Sequence, residues 1–365
     1  MFSLKKYLAL LLLSCLLPAC RNTNSSTAET DEAGKNITSL EQIFPASADI
    51  NLNISYKNDL SSYGNIEGFH VYKDYLIVVA YDTETGTWLH VYNKDSFELI
   101  KHELHSGRGP LDIDSHLWLT QLDRASGELT CYLDKKTMVT VYLDNVINDT
   151  KPLLEKTELF PFEMKATIAM FRRKNGDYIQ INRMDPSEKD DENALQRIMV
   201  YDEHGNLKSS YPMKFPFESE RSIHALYEID VTGYDYYPDE DLLFCSTFRT
   251  THLESFGIGD EQVELKGSHR YFSELTDVLG FHGTCLAGGK LHAILDFTVT
   301  YSDFLSDKNK DEDLNKHIGV FDLDGTPIKL LNTNVRLETM TIDGSDVYFV
   351  VRKEDGTDRL ARLDN

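Results

Sequence analysis

A chain of 365 residues with 41% hydrophobic and 11% aromatic content, including 19 Tyr and 18 Phe, carries ample material for a buried core, which excludes a disordered polymer. Its formal charge of -23 repels phosphate backbones and excludes nucleic acid as an expected partner. Enrichment in aromatic and β-branched residues favours strands over helices.

The first elements concern address rather than fold. Lys5 and Lys6 precede an apolar run, Tyr7 to Leu17, that is too short for a stable membrane span, and Leu17-Pro18-Ala19-Cys20 follows as a cleavage site. The four residues resemble the lipobox of bacterial lipoproteins, which implies that Cys20 receives lipid and that residues 1–19 are a signal peptide. Two alternatives are cleavage before Cys15, which leaves a shorter apolar run, and an uncleaved buried helix. Arg21 to Asn36 is polar without apolar period, so residues 20–40 read as a flexible tether and 41–365 as the folded body. Lipoproteins of the outer face often carry acid directly after the lipidated Cys. Here Glu29, Asp31 and Glu32 come late, which points to an outer-membrane anchor facing the periplasm. After Cys15 and Cys20, Cys131, Cys245 and Cys285 remain inside apolar runs and read as buried unpaired thiols, with one disulfide at most.

The body repeats a phrase. His317 to Leu331 holds a short apolar strand, the turn Asp322-Leu323-Asp324-Gly325 and a second strand; related copies occur at Met199–Tyr211, His90–Ile100, Thr140–Asp149 and Ser255–Leu265, with a truncated copy ending at Asn365. Aligning Tyr92, Tyr142, Tyr201, Phe256, Phe321 and Arg362 gives a period of 41 to 65 residues without helical pattern, the signature of propeller blades. The expected fold is all-β, a six-bladed β-propeller of four-stranded antiparallel blades. The sixth blade lacks its outer strand, and an open ring would leave unpaired backbone groups. The β-prone run Ile50 to Lys57 has no blade of its own, so it is expected to close the ring on the last blade. Two acidic insertions, Met184–Leu195 and Tyr301–Asn315, join middle strands of blades 3 and 5, and Tyr234–Asp241 reads as irregular chain between the first two strands of blade 4.

Between blades 1 and 2 stands His105-Ser106-Gly107-Arg108-Gly109-Pro110-Leu111-Asp112. Here the chain resembles the lipidated, six-bladed TolB-like β-propellers of Gram-negative bacteria, which carry a G-x-G-P-G-E-like segment after the first blade. Gly107, Gly109 and Pro110 match; Leu111 and Asp112 stand where the family has Gly and Glu. The resemblance implies a membrane-tethered propeller and a binding role as the default. Read physically, the two glycines supply backbone conformations closed to other residues, and Pro110 fixes the next one.

The entrances of the inner strands carry His70, His116, Trp118, Arg172, His224, His282, Arg336 and Glu338, and Arg108 sits in the connector. These are the candidate ligand-binding residues of the funnel. Converging imidazoles are able to hold a metal, yet no short His spacing accompanies them, and independent polar residues hydrated in the channel are the preferred reading. Asp307 to Asp311 has the start of a calcium loop, but Glu312 and Ile318 occupy the positions that need Gly and Glu. No nucleophile elbow, zinc-protease motif or phosphate loop occurs. No cofactor is therefore expected, and the expected role is a non-catalytic module that is held to the membrane by its N-terminal lipid and binds a protein or glycan. The alternative is a hydrolase or lyase acting on glycan or peptide in the funnel, with or without a metal.

Overall fold

The computed structural model describes residues 40–56, 58–109, 111–114, 116–133, 137–158, 167–182, 196–212, 231–247, 252–271, 281–295 and 316–364. The chain divides into a leading unit, Met1–Asn36, and a body, Ile37–Asn365. Among the described residues no helix is long and apolar enough to cross a membrane; the run Tyr7 to Leu17 lies outside them.

The body is a six-bladed β-propeller. Blade 1 is a four-strand meander, Tyr63–Tyr72, Tyr75–Asp82, Thr87–Asn93 and Leu99–His105, and the pattern repeats in blades whose inner strands are Trp118–Asp123, Thr167–Arg172, Val231–Tyr237, Phe281–Ala287 and Arg336–Asp343. The inner strand of blade 6 lies beside those of both blade 5 and blade 1, which closes the ring. Middle strands are buried on both faces because neighbouring blades cover both. That is why Tyr75–Asp82 reads YLIVVAYD rather than alternating, whereas the outer strand Leu99–His105 is mostly exposed.

Hairpin turns follow the chemistry read from the repeat. At Asp322–Thr326 the amide of Gly325 donates to Asp322 O at 2.9 Å and Asp322 N to Thr326 O at 2.9 Å, with Gly325 at φ 96°, a conformation that a side chain would strain. The copy at Thr140–Asp149 departs from this pattern. Its third strand ends at Tyr142, and Leu143–Ile147 forms one turn of α-helix, since Leu143 and Val146, three apart, both bury into the boundary between blades 1 and 2. The stretch Tyr234–Asp241 is likewise more regular than expected. Strand runs through Tyr237, with Tyr236 against Phe171 and Tyr237 against Phe244, and only the last four residues turn. The insertions at Met184–Leu195 and Tyr301–Asn315 lie outside the described residues.

Ring closure takes the expected form and adds a second strand. Leu52–Ile54 pairs antiparallel with Asp358–Leu363 as the outer strand of blade 6, with Leu52 opposite Leu363 and Ile54 opposite Ala361. Just before it, Ser47–Asp49 pairs parallel with Pro327–Asn332 and makes blade 5 five-stranded. Leu40 and Phe44 anchor this belt in the core between blades 4 and 5, where Phe44 meets Phe321 edge-on at 5.3 Å. Cys131, Cys245 and Cys285 are free; the first two are buried and the third half-buried.

Candidate functional site

The inner strands surround a channel cavity of about 550 Å³ whose polar lining includes Glu67, His70, Thr120, Gln121, Asp235 and Thr284. Side chains alternate along each strand, so one set faces the channel and the other enters the boundaries between blades. His70, expected in the funnel, does line this channel. Its Nε2 lies 2.7 Å from Thr120 Oγ1, and that hydroxyl donates to Glu67 O at 3.2 Å. The carbonyl can only accept, so the hydroxyl proton has a competing acceptor beside the imidazole. Burial, reinforced by the charge of Arg124, pulls the imidazole down to about 4, and His70 is neutral at pH 7.

Glu67 faces His116, with 3.0 Å between Oε1 and Nε2. Burial raises the pKa of Glu67, against the pull of His116. Asp235 lies deeper in the wall and accepts a hydrogen bond from Thr284 Oγ1, which is also 3.1 Å from Tyr237 OH. Desolvation pushes Asp235 up to about 6 and the Cys285 thiol up to about 12. The thiol is thus not a nucleophile at neutral pH.

Asp235 supplies a test of this electrostatic picture. The folded state holds its proton up to about pH 6, whereas an unfolded Asp releases it near 3.8. Between those values the folded state binds more protons, so stability falls as pH rises and the whole loss is in place above about pH 6. Asp235→Asn keeps an acceptor for Thr284 and is expected to raise stability by roughly 2–3 kcal/mol at pH 7.5 while leaving it unchanged at pH 3.5. Thermal melts of both proteins across that range check it; parallel curves would show that Asp235 is ionised in the fold.

The other candidates separate. His116 stands at the channel entrance but faces a second, smaller pocket on blade 1. Trp118 packs on Tyr132 at 6.2 Å between ring centroids, away from both cavities. Arg172 holds blade 3 to blade 2 through its backbone, which exchanges hydrogen bonds with the Gln121 amide at 2.6 and 3.0 Å. Arg336 and Glu338 bond each other at 2.9 Å, and Arg352 approaches Glu338 at 3.4 Å. Arg108 is exposed on the connector. His224 lies outside the described residues, and His282 is described only in its backbone, as the second residue of its strand. Among the described residues no three His, Cys, Asp or Glu converge as metal ligands.

The connector glycines work through space rather than through φ. Gly109 N donates to Asp112 Oδ2 at 2.8 Å, and an added Cβ at Gly107 or Gly109 would collide with that carboxylate. Neither glycine is among those with positive φ. Asp112 therefore holds the loop, and Lys156 fastens it further by donating to Asp112 O at 2.6 Å.

The second pocket, about 370 Å³, was not visible in the sequence pattern. It lies at one end of blade 1 among Asn65, Tyr81, Trp88, Ser106, Asp114 and His116. The apolar run TWLHVY disguised Trp88 as an ordinary core residue.

No family model matches the chain, and no curated protein matches it in sequence. In fold it is similar to a protein from Bacteroides fragilis named as exported, at 12% identity and a TM-score of 0.51, covering 87% of this chain and 98% of that one. It is also similar to a member of the DUF4221 family from Bacteroides vulgatus, at 10% identity and a TM-score of 0.54, covering 86% and 98%. The chain is a six-bladed β-propeller, and its likeness to these two proteins is one of fold.

Proposed function

We propose that the chain is an exported, lipid-anchored envelope propeller of the TolB-like kind that binds a protein or glycan partner without transforming it. Export draws support from the basic and apolar start of the sequence and from the name of the B. fragilis protein. In this reading Cys20 carries the lipid, the tether runs from residue 20 to 39 and ends one residue sooner than the sequence suggests, since Leu40 is in the core, and the anchor sits in the outer membrane facing the periplasm. Labelling with an alkynyl fatty acid checks the anchor: Cys20→Ser is expected to abolish incorporation, and Cys15→Ser to leave it intact.

One observation carries the preference for binding over catalysis. Activation of a hydroxyl requires a competent base and an uncontested proton, yet burial pulls His70 down to about 4, and Glu67 O, 3.2 Å from Thr120 Oγ1, competes for the proton. The pair most reminiscent of a nucleophile and base, Thr120 and His70 at 2.7 Å, is therefore poorly set for that task. Capture of a partner from solubilised membranes by the full chain in micelles tests the reading. The partner is expected to be recovered chemically intact after prolonged incubation, and the double variant Arg108→Ala, His116→Ala is expected to bind at least about tenfold more weakly with an unchanged melting temperature. Recovery of a cleaved partner would establish an enzyme instead.

A further inference from the structure

The channel between the inner strands holds a charge imbalance that the fold itself does not need. Among the described residues its lining carries four acids, Glu67, Asp235, Asp239 and Glu240, against one permanent cation, Arg124, and His70 is neutral. Arg124 is already engaged: it donates to Ile342 O at 2.7 Å and lies 3.9 Å from Asp343. Glu67 has His116, and Asp239 has Lys174. Asp235 has no such partner. The groups that meet its carboxylate are the hydroxyl and amide of Thr284, both neutral, and among the described residues no cation pairs with it.

Asp235 is ionised at pH 7.5, since desolvation lifts it only to about 6, and in that form it lowers the stability of the fold. The residue is nonetheless half-buried rather than sealed, so the channel reaches it. A carboxylate desolvated without a counter-charge is the kind of local destabilisation that binding sites carry. Thr341 on blade 6 adds a second, independent observation. It lines the same channel at 4% exposure, and its hydroxyl makes no hydrogen bond among the described residues.

Apolar side chains, Ile66, Phe69, Leu122 and Met340 among them, share the lining with these polar groups. The cavity of about 550 Å³ falls within the roughly 300–1,000 Å³ typical of small-ligand sites. An anion would be repelled by Asp235, and a neutral polyol would leave its charge unbalanced. A divalent metal needs several converging ligands, and no three His, Cys, Asp or Glu converge among the described residues. An aliphatic polyamine meets every requirement, because it carries charge and N–H donors at intervals along a methylene chain. Glu240, exposed in the turn that follows the strand of Asp235, offers a second ammonium its place. Five residues separate the two acids, so they stand no more than about 18 Å apart along the chain.

We infer that the channel binds an aliphatic polyamine, with one ammonium on Asp235, another toward Glu240, and an N–H donated to Thr341. The inference goes beyond the macromolecular partner proposed above and does not depend on it.

The full chain in micelles is titrated calorimetrically with spermidine at about 0.15 M salt, where screening weakens attraction to the acidic surface at large. One saturable site is expected, with putrescine weaker and propylamine weaker still. Asp235→Asn, which is expected to fold at least as stably as the parent, is expected to raise Kd about tenfold or more and to erase the rise in melting temperature that spermidine gives the parent. Thr341→Val is expected to raise Kd about three- to tenfold. Glu354→Gln, at an exposed position outside the channel lining, is expected to leave it unchanged. Equal affinity in the parent and Asp235→Asn, or no saturable site, would overturn the inference. Displacement of spermidine by calcium at lower concentration would overturn it in favour of an inorganic cation. A lysine-bearing peptide that binds where spermidine does not would overturn it in favour of a partner's side chain.

Discussion

Removing residues 40–56 is expected to abolish the folded monomer. The belt contributes on three counts. Leu40 and Phe44 bury against Phe321 and Leu330, and losses of this kind cost roughly 2–5 kcal/mol each. Backbone groups of the two last blades lose their partners: Ser55 N donates to Leu360 O at 2.8 Å, Ile50 N to Asn332 O at 2.8 Å, and Leu330 N to Ala46 O at 2.8 Å. Leu52 and Ile54 pack into the core of blade 6, which the cut leaves bare. Together these approach the roughly 5–15 kcal/mol of net stability that a folded protein commonly has, and the bared strand edges invite pairing between molecules. Size exclusion is expected to find aggregate in place of monomer. Phe44→Ala gives a graded version, about 3–5 kcal/mol in a denaturant titration. A truncated chain that melts cooperatively within a few degrees of the intact one would show that the ring closes without its belt.

The ring itself was legible because its signals are local and repeated. Each blade carries buried middle strands that read as apolar runs, and turns such as Asp322–Gly325 mark the hairpins with residues chosen by backbone geometry. Ser47–Asp49 left no such trace. Its three residues are exposed or half-exposed, and what holds them is backbone pairing, which any sequence can make. Helix and strand were confused at Leu143–Ile147 because two apolar residues three apart fit a fragment of either pattern. The site was less legible than the fold. Histidines near strand starts drew attention, and His70 does line the channel, but the groups that surround it are ordinary residues, Thr120, Asp235 and Thr284, made special by convergence from different blades. Arg172 and Arg173 illustrate the limit most simply. Arg172 ends its strand and Arg173 follows it, and nothing in the sequence marks the second as the arginine with a demanding role.

Arg173 is that residue, and its replacement is expected to cost roughly 3–5 kcal/mol. Its side chain is 5% exposed at the boundary between blades 3 and 4. There Nε and Nη2 bond both carboxylate oxygens of Asp241 at 3.0 Å, Nη1 reaches Asp260 at 2.9 Å and Asp177 at 3.2 Å, and Nη2 reaches Ile258 O at 3.0 Å. Burial works against the charge, but the hydrogen bonds that it donates to Asp241 and Asp260 outweigh it and raise the guanidinium further above its ordinary range. The planar fork matters as much as the charge, since it alone addresses Asp241 bidentately. Arg173→Met fills similar space with no donors. It leaves Ile258 O without this partner, and Asp177 with Lys208 at 2.7 Å as its remaining ion pair. Arg173→Lys keeps the charge and loses the fork, so about half the stability loss is expected to remain. Urea titrations of the two variants distinguish the contributions. If Lys restores full stability, charge alone joins these blades and the bidentate geometry is incidental.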